Sequence, residues 1–148
     1  MIATTEETLH ALFRDTIAST TPRITYKGSA AWRPYEKAKD GGDRTRAFRL
    51  VWGVPELRTG GAVFGSIFEH EAELRVRTDY AGQHDKTQFA IADDHVHLRD
   101  VLSTLKASDN GLQLVESIRL ERRGFSEDDD VIQIDHVYSV RFMRSIDP

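Results

Sequence analysis

"SIFEHEAELRVRTDY", residues 66–80, alternates almost without a break. Phe68, His70, Ala72, Leu74 and Val76 fall on one side, and Glu69, Glu71, Glu73, Arg75 and Arg77 on the other. A period of two with one apolar side is the pattern of a half-buried β-strand. The outward positions run acid, acid, acid, base, base. Such a strand belongs to a sheet with one face on a core and one face polar, which is the antiparallel arrangement.

Three more stretches carry the same period. "RTRAFRLVWGV", 44–54, puts Phe48, Leu50 and Trp52 on one face. "LQLVESIRLERRG", 112–124, divides into Leu112, Leu114, Glu116, Ile118 and Leu120 against Gln113, Val115, Ser117, Arg119 and Glu121. "VIQIDHVYSVRFMR", 131–144, sets Ile132, Ile134, His136, Tyr138, Val140 and Phe142 against Gln133, Asp135, Ser139 and Arg141. The last two are joined by "FSEDDD" and read as a hairpin. A short strand over 23–27 is a further candidate.

Two segments have helical spacing instead. In 4–20, Leu9, Leu12, Phe13, Thr16 and Ile17 form one stripe, Thr4 with Glu7 fits a capping box, and Thr20-Thr21-Pro22 ends the run. Leu98, Val101, Leu102 and Leu105 form a second stripe, with Asp93 or Asp94 as the expected N-cap and Asp109-Asn110-Gly111 as the stop. The preceding "GQHDKTQFAIA" fits either a helical turn or an extended link. The order predicts one α+β domain over 1–148: an antiparallel sheet of about four strands, two helices packed on one face, and a long loop excursion at 21–43.

The size suits that reading, since 148 residues are enough for one domain with its own core. There is no cysteine, which removes disulfides, thiolate metal sites and cysteine nucleophiles. A net charge of −4 argues against a protein that coats nucleic acid, though a local basic patch remains compatible with it. "MIATTEETLH" lacks the basic and apolar regions of a secretory signal, and no apolar run approaches the roughly 20 residues that span a bilayer.

Few residues suggest chemistry. "DDHVH", 93–97, has metal-ligand residue types, but His95 and His97 are two apart and do not share a helix face; only Asp93 with His97 has i, i+4 spacing. A capped helix start is the simpler reading. His70 and His136 interrupt apolar strand faces, either as a pH-sensitive or acid–base pair or as core histidines bonded to a carbonyl or to a hydroxyl such as that of Tyr138. "SEDDD", 126–130, lacks calcium-loop spacing and reads as a solvated turn or an electrostatic docking knob. Nucleophile-elbow, phosphate-loop, zinc-protease and dinucleotide signatures are absent, and scattered Ser, His and Asp carry no weight as a triad. No catalytic, cofactor or metal residue is expected.

The excursion is more informative. Between positions 23 and 49 there are eight basic residues against three acids, interleaved with Trp32 and Tyr35. Basic and aromatic residues together serve single-stranded nucleic acid or a protein interface, and the acidic total favours the protein. Trp32, Arg33, Tyr35, Lys37 and Lys39 are the interface candidates here, beside Glu69, Glu71, Glu73, Arg75 and Arg77 on the strand.

The element order resembles the tail-terminator proteins of tailed bacteriophages, the minor tail U-like and tail-completion group. "RTRAFRLVWG", "EHEAELRVRTDY", "HVHLRDVLSTL" and the ending "HVYSVRFMRSI" carry the resemblance across most of the chain. It implies a structural virion protein without an active site, made in the host cytoplasm and built into the tail or neck. Copies would form a ring, usually of six, that caps the tail tube and meets the neck or connector, with DNA in the channel as a passive neighbour and no membrane or cofactor. Another neck or tube component, or a small cytosolic enzyme or ligand-binding domain, are the alternatives. A ring needs two unlike surfaces that fit each other; Glu69, Glu71 and Glu73 against a neighbour's bases would supply one such fit, and pairing within the sheet would be the simpler use of the same charges.

Overall fold

The computed structural model describes residues 6–25, 31–35, 45–61, 63–81, 86–107, 112–126 and 131–145. Helix α1 spans Glu6–Ala18 and α2 spans Thr87–Ser103, continued by a 3-10 turn at Thr104–Ala107. The strands are β1 (Arg33–Pro34), β2 (Ala47–Trp52), β3 (Glu56–Leu57), β4 (Val63–Phe64), β5 (Ile67–Ala81), β6 (Leu112–Ser126) and β7 (Val131–Ser145). They make one sheet in the order β1-β2-β5-β7-β6, with β3 and β4 also paired to β5.

This is the expected α+β class, with differences in detail. Seven strand segments replace about four. The sheet is mixed because β1 runs parallel to β2, pairing Arg33 with Ala47 and Pro34 with Phe48. Part of the 21–43 excursion is therefore built into the sheet; its proline sits on an outermost strand, where a missing N–H costs no ladder bond. Residues 23–25 form no strand. Thr4, residues 26–30, Lys37, Lys39, the stop at 109–111 and most of the acidic turn at 127–130 lie outside the described residues.

The quoted stretch is the spine. All fifteen residues of β5 pair with β7, from Ile67 opposite Ser145 to Ala81 opposite Val131. On its other edge, β4, β3 and β2 follow one another along the same strand. One face of this spine meets both helices: Leu9, Phe13 and Ile17 of α1 and Leu98 and Leu102 of α2 close on Phe48, Ala72, Leu74, Val76, Tyr138, Val140 and Phe142. Each large side chain so buried contributes about 1.5–3 kcal/mol. Trp52 locks α1 to β2, with its ring 5.5 Å from Phe13 and its indole N–H donating to His10 Nδ1 at 3.1 Å.

Helix α2 begins at Thr87, so Asp93 and Asp94 are interior residues and not its cap. The buried stripe runs Thr87, Ala90, Ile91, Asp94, His95, Leu98 and Leu102. Two of those seven are ionisable, which hides the stripe from a search for apolar periodicity. Strand β6 also departs from expectation. Register shifts between Leu112 and Leu114, Ser117 and Arg119, and Arg122 and Gly124 reset the alternation. Val115 is buried against the helices, while Glu116 lies on the other face, 3.8 Å from Arg141, and Ile118 and Leu120 are 47% and 40% exposed. A bulge inserts one unpaired residue, so every later side chain changes face.

Candidate functional site

Two polar assemblies flank the middle of the sheet. The outer one contains the strand residues expected to meet a partner. Arg75 reaches Asp135 at 3.1 Å, Glu121 at 3.0 Å and Glu73 at 3.2 Å, and Arg77 holds Asp135 at 3.0 Å. Arg119 bridges Glu121 at 2.8 Å and Glu73 at 3.4 Å. Asp135, helped by Glu121 and Glu73, holds the Arg75 proton more firmly than usual, and the bond from Arg75 pulls the Glu121 carboxyl below its ordinary range. Arg58 donates to Glu69 at 2.7 Å, and the Ser139 hydroxyl donates to Glu71.

These charges thus have partners within the subunit, and Glu69 and Arg77 are buried. Val137 and Met143, on this same face, are without exposure. Trp32 is also not a surface residue. It is 2% exposed and packs edge-on to Phe48 at 6.1 Å, because β1 carries it over the core. Arg33 is half-buried in β1. Tyr35 donates to Asp79 at 2.6 Å, accepts from Gln133 at 2.8 Å and lies 5.7 Å from the Arg49 guanidinium.

An open groove of about 500 Å³ lies on this same face. Val54, Leu57 and Ile118 give it exposed apolar edges, and Glu56, Glu71 and Glu73 give it an acidic lining.

The inner assembly was not legible as a site. Arg46 enters β2 at φ +62°, a left-handed conformation that costs a non-glycine residue on the order of 1–3 kcal/mol. It is held there by its N–H to Asp79 O at 2.7 Å and its carbonyl to Arg33 N at 3.1 Å. The guanidinium, fully buried, donates to both oxygens of the equally buried Asp94, at 2.8 and 3.1 Å. Burial pushes the Asp94 carboxyl up, and the bonds from Arg46 and Tyr80 pull it back. With a permanent cation on both oxygens, the carboxylate is the form that leaves no net charge in the core.

From Asp94 the hydrogen bonds run outward in one chain. Tyr80 OH donates to Asp94 Oδ2 at 2.9 Å and lies 2.7 Å from His136 Nε2. His136 Nδ1 lies 3.2 Å from His95 Nδ1, and His95 Nε2 meets the Ser117 hydroxyl. With Asp94 ionised, one set of protons satisfies this order. Tyr80 spends its proton on the carboxylate, so His136 donates from Nε2. His136 then accepts at Nδ1 from His95 Nδ1–H, and His95 Nε2 accepts from Ser117. Burial drives His136 well below the usual histidine range, with His95 and Arg46 adding to the effect; burial and then Arg99 lower His95. Both rings are neutral at pH 7. His95 is further fixed by stacking on Tyr138, with centroids 5.0 Å apart, and Tyr138 OH donates to the His95 carbonyl at 2.7 Å.

His70 takes no part. It meets the Phe68 carbonyl at 2.9 Å and pairs with Phe142, six residues and roughly 20 Å along β7 from His136. The two histidines therefore form no pair with each other and are core histidines as the simpler reading has them, His70 on a backbone carbonyl and His136 on a tyrosine hydroxyl, that of Tyr80 and not of Tyr138. Asp93 pairs with Arg23 at 3.1 Å. Among the described residues, no group of three or more His, Asp or Glu is placed to hold a metal ion, and no helix is long and apolar enough to cross a membrane.

The chain matches no family model and no curated protein.

Proposed function

We propose that the chain is a structural ring subunit of a phage virion, a tail terminator that works by fitting copies of itself together and capping the tail tube at the neck. The observation that supports this reading is the inequality of the two sheet edges. One edge is a composite of short segments, with the two-residue β1 and its Pro34 outermost beside β2. The other is β6, fifteen residues long, paired within the described residues only to β7 and carrying half-exposed Ile118 and Leu120. Two unlike edges can join head to tail, and a head-to-tail contact closes into a ring when the rotation between copies closes. The bulges in β6 twist it away from indiscriminate pairing, so a partner must match its shape.

The acids of β5 contribute less to such a joint than their charge suggests, since Glu69 and Glu73 have partners inside the subunit. Reversing them would disturb the sheet itself. Leu120→Lys tests the edge instead. Light scattering on the eluting native protein should give a closed oligomer, seen as rings by electron microscopy, and the variant should elute as a folded monomer. A native protein that is monomeric at every concentration overturns the proposal, and rings that never cap tubes would move it to another neck or tube component.

A further inference from the structure

Ser117 ends the inner chain of hydrogen bonds, and nothing in a ring-forming role uses it. We propose that Ser117 is a nucleophile that accepts the acyl group of a small activated ester, with His95 as its base.

The argument rests on proton order. Nucleophilic activation of a serine needs three things: a neutral imidazole accepting its O–H, the second ring nitrogen donating to a fixed acceptor, and access for the electrophile. The bonding sequence fixes the first two. His95 Nε2 carries no proton and faces Ser117 Oγ, while Nδ1–H is spent on His136 Nδ1. His136 is itself oriented by Tyr80, Asp94 and Arg46, so the imidazole that fills the carboxylate's customary place is anchored by a buried ion pair one step further in. The third requirement is met by position. Ser117 is exposed on β6, beside the bulge at Ile118, and the rest of the chain is buried behind it.

In the acylation step, Ser117 Oγ bonds to the ester carbonyl carbon and its proton passes to His95 Nε2. The carbon–oxygen bond to the leaving group then breaks, and the leaving oxygen departs as a phenolate or takes that proton. The product is an acyl-serine and one free phenol, with no redox partner needed. Protonation of His95 is transient. Burial and Arg99 on α2 oppose the charge on the ring, and Arg46 opposes its passage to His136. Burial first, and Arg99 after it, make His95 a weak base, suited to a good leaving group such as 4-nitrophenolate and unsuited to an amide.

The test is acetylation by 4-nitrophenyl acetate at pH 7.5, read by intact mass and peptide mapping, on the native protein and on Leu120→Lys. The variant keeps the β6 edge open if native copies cover it, so a ring that shields Ser117 and a serine that is inert give different results. One acetyl group on Ser117, gained at least about 100-fold faster than on exposed Ser66, lost in Ser117→Ala and restored by imidazole in His95→Ala, is the expected result. Acetylation of Ser117 no faster than of Ser66 in both proteins overturns the proposal, whether or not rings form. Equal labelling after denaturation in urea overturns it too, because the order of protons exists only in the fold.

Discussion

The two faces of the sheet carry nearly the same residue types and use them in opposite ways. On the helix side, Arg46 and Asp94 are fully buried, and the groups beyond them are joined in a single file. On the outer side, arginines and carboxylates form a branched net around Asp135, and most members keep some contact with solvent. A file has little redundancy: from Tyr80 through His136 and His95 to Ser117 each link is a single hydrogen bond, so a deletion breaks the order of the groups beyond it. A net shares its charges, and water can replace a missing member. The position of a charge relative to the core thus decides its worth more than the number of its partners.

Asp94→Ala should show the difference at its largest. It strands the Arg46 guanidinium in the core, for which a loss of about 3–5 kcal/mol is expected in urea denaturation. Replacing the pair together, Arg46→Met with Asp94→Leu, should recover most of that loss, because no charge is left unpaired. If the double variant is no better than the single one, the loss comes from the Tyr80 hydroxyl left without its acceptor and not from the stranded cation. Asp135→Ala tests the outer side where it is most buried. Arg75 and Arg77 both lose a charged acceptor, but Arg75 keeps Glu73 and Glu121. A loss of about 2 kcal/mol follows.

How much of this was readable from the chain differs between the faces as well. The apolar sides of β2, β5 and β7 follow from strict alternation, because no residue is inserted in β5 or β7. The expected faces of β6 differ from the observed ones from Val115 onward, because a bulge leaves no mark in composition; Gly124 alone hints at one. The cap expected at Asp93 or Asp94 lies seven or eight residues beyond the observed one at Lys86, because Asp94 and His95 interrupt the apolar stripe of α2. Those interruptions were the available signal. Asp94 and His95 lie on the same helix face as Leu98 and Leu102, and His136 and Tyr80 interrupt the inward sides of two strands. Four polar residues on inward positions must satisfy one another. Which meets which depends on the β5–β7 register and on the long-range contact to Arg46, and neither is local.

The histidines give the next prediction. In the folded protein His136 and His95 bind protons more weakly than in the unfolded chain, where the ordinary value is about 6.5. As pH falls below that value the unfolded state takes up protons that the folded state refuses, so stability present above it is lost. The slope reaches about 1.4 kcal/mol per pH unit for each histidine. Asp94 works with the opposite sign, since its raised carboxyl protonates first in the folded state. Comparing native protein with His136→Phe removes that common contribution. Urea midpoints between pH 7.5 and 5.5 should fall more steeply in the native protein; parallel curves would mean that His136 accepts a proton without leaving the fold.

The smallest effect sharpens the comparison most. Arg119 touches two carboxylates, Glu121 and Glu73, where Arg46 touches only Asp94, yet its side chain is 47% exposed. Carboxylate count would rank it above Arg46; burial ranks it near zero. A double-mutant cycle between Arg119→Ala and Glu73→Ala should give at most about 0.5 kcal/mol, and the value should shrink as salt rises because the Debye length contracts. A salt-insensitive coupling of several times that size would show that the outer net is shielded from water like the inner file. The contrast between the two faces would then lie in connectivity alone, with depth in the fold playing no separate part.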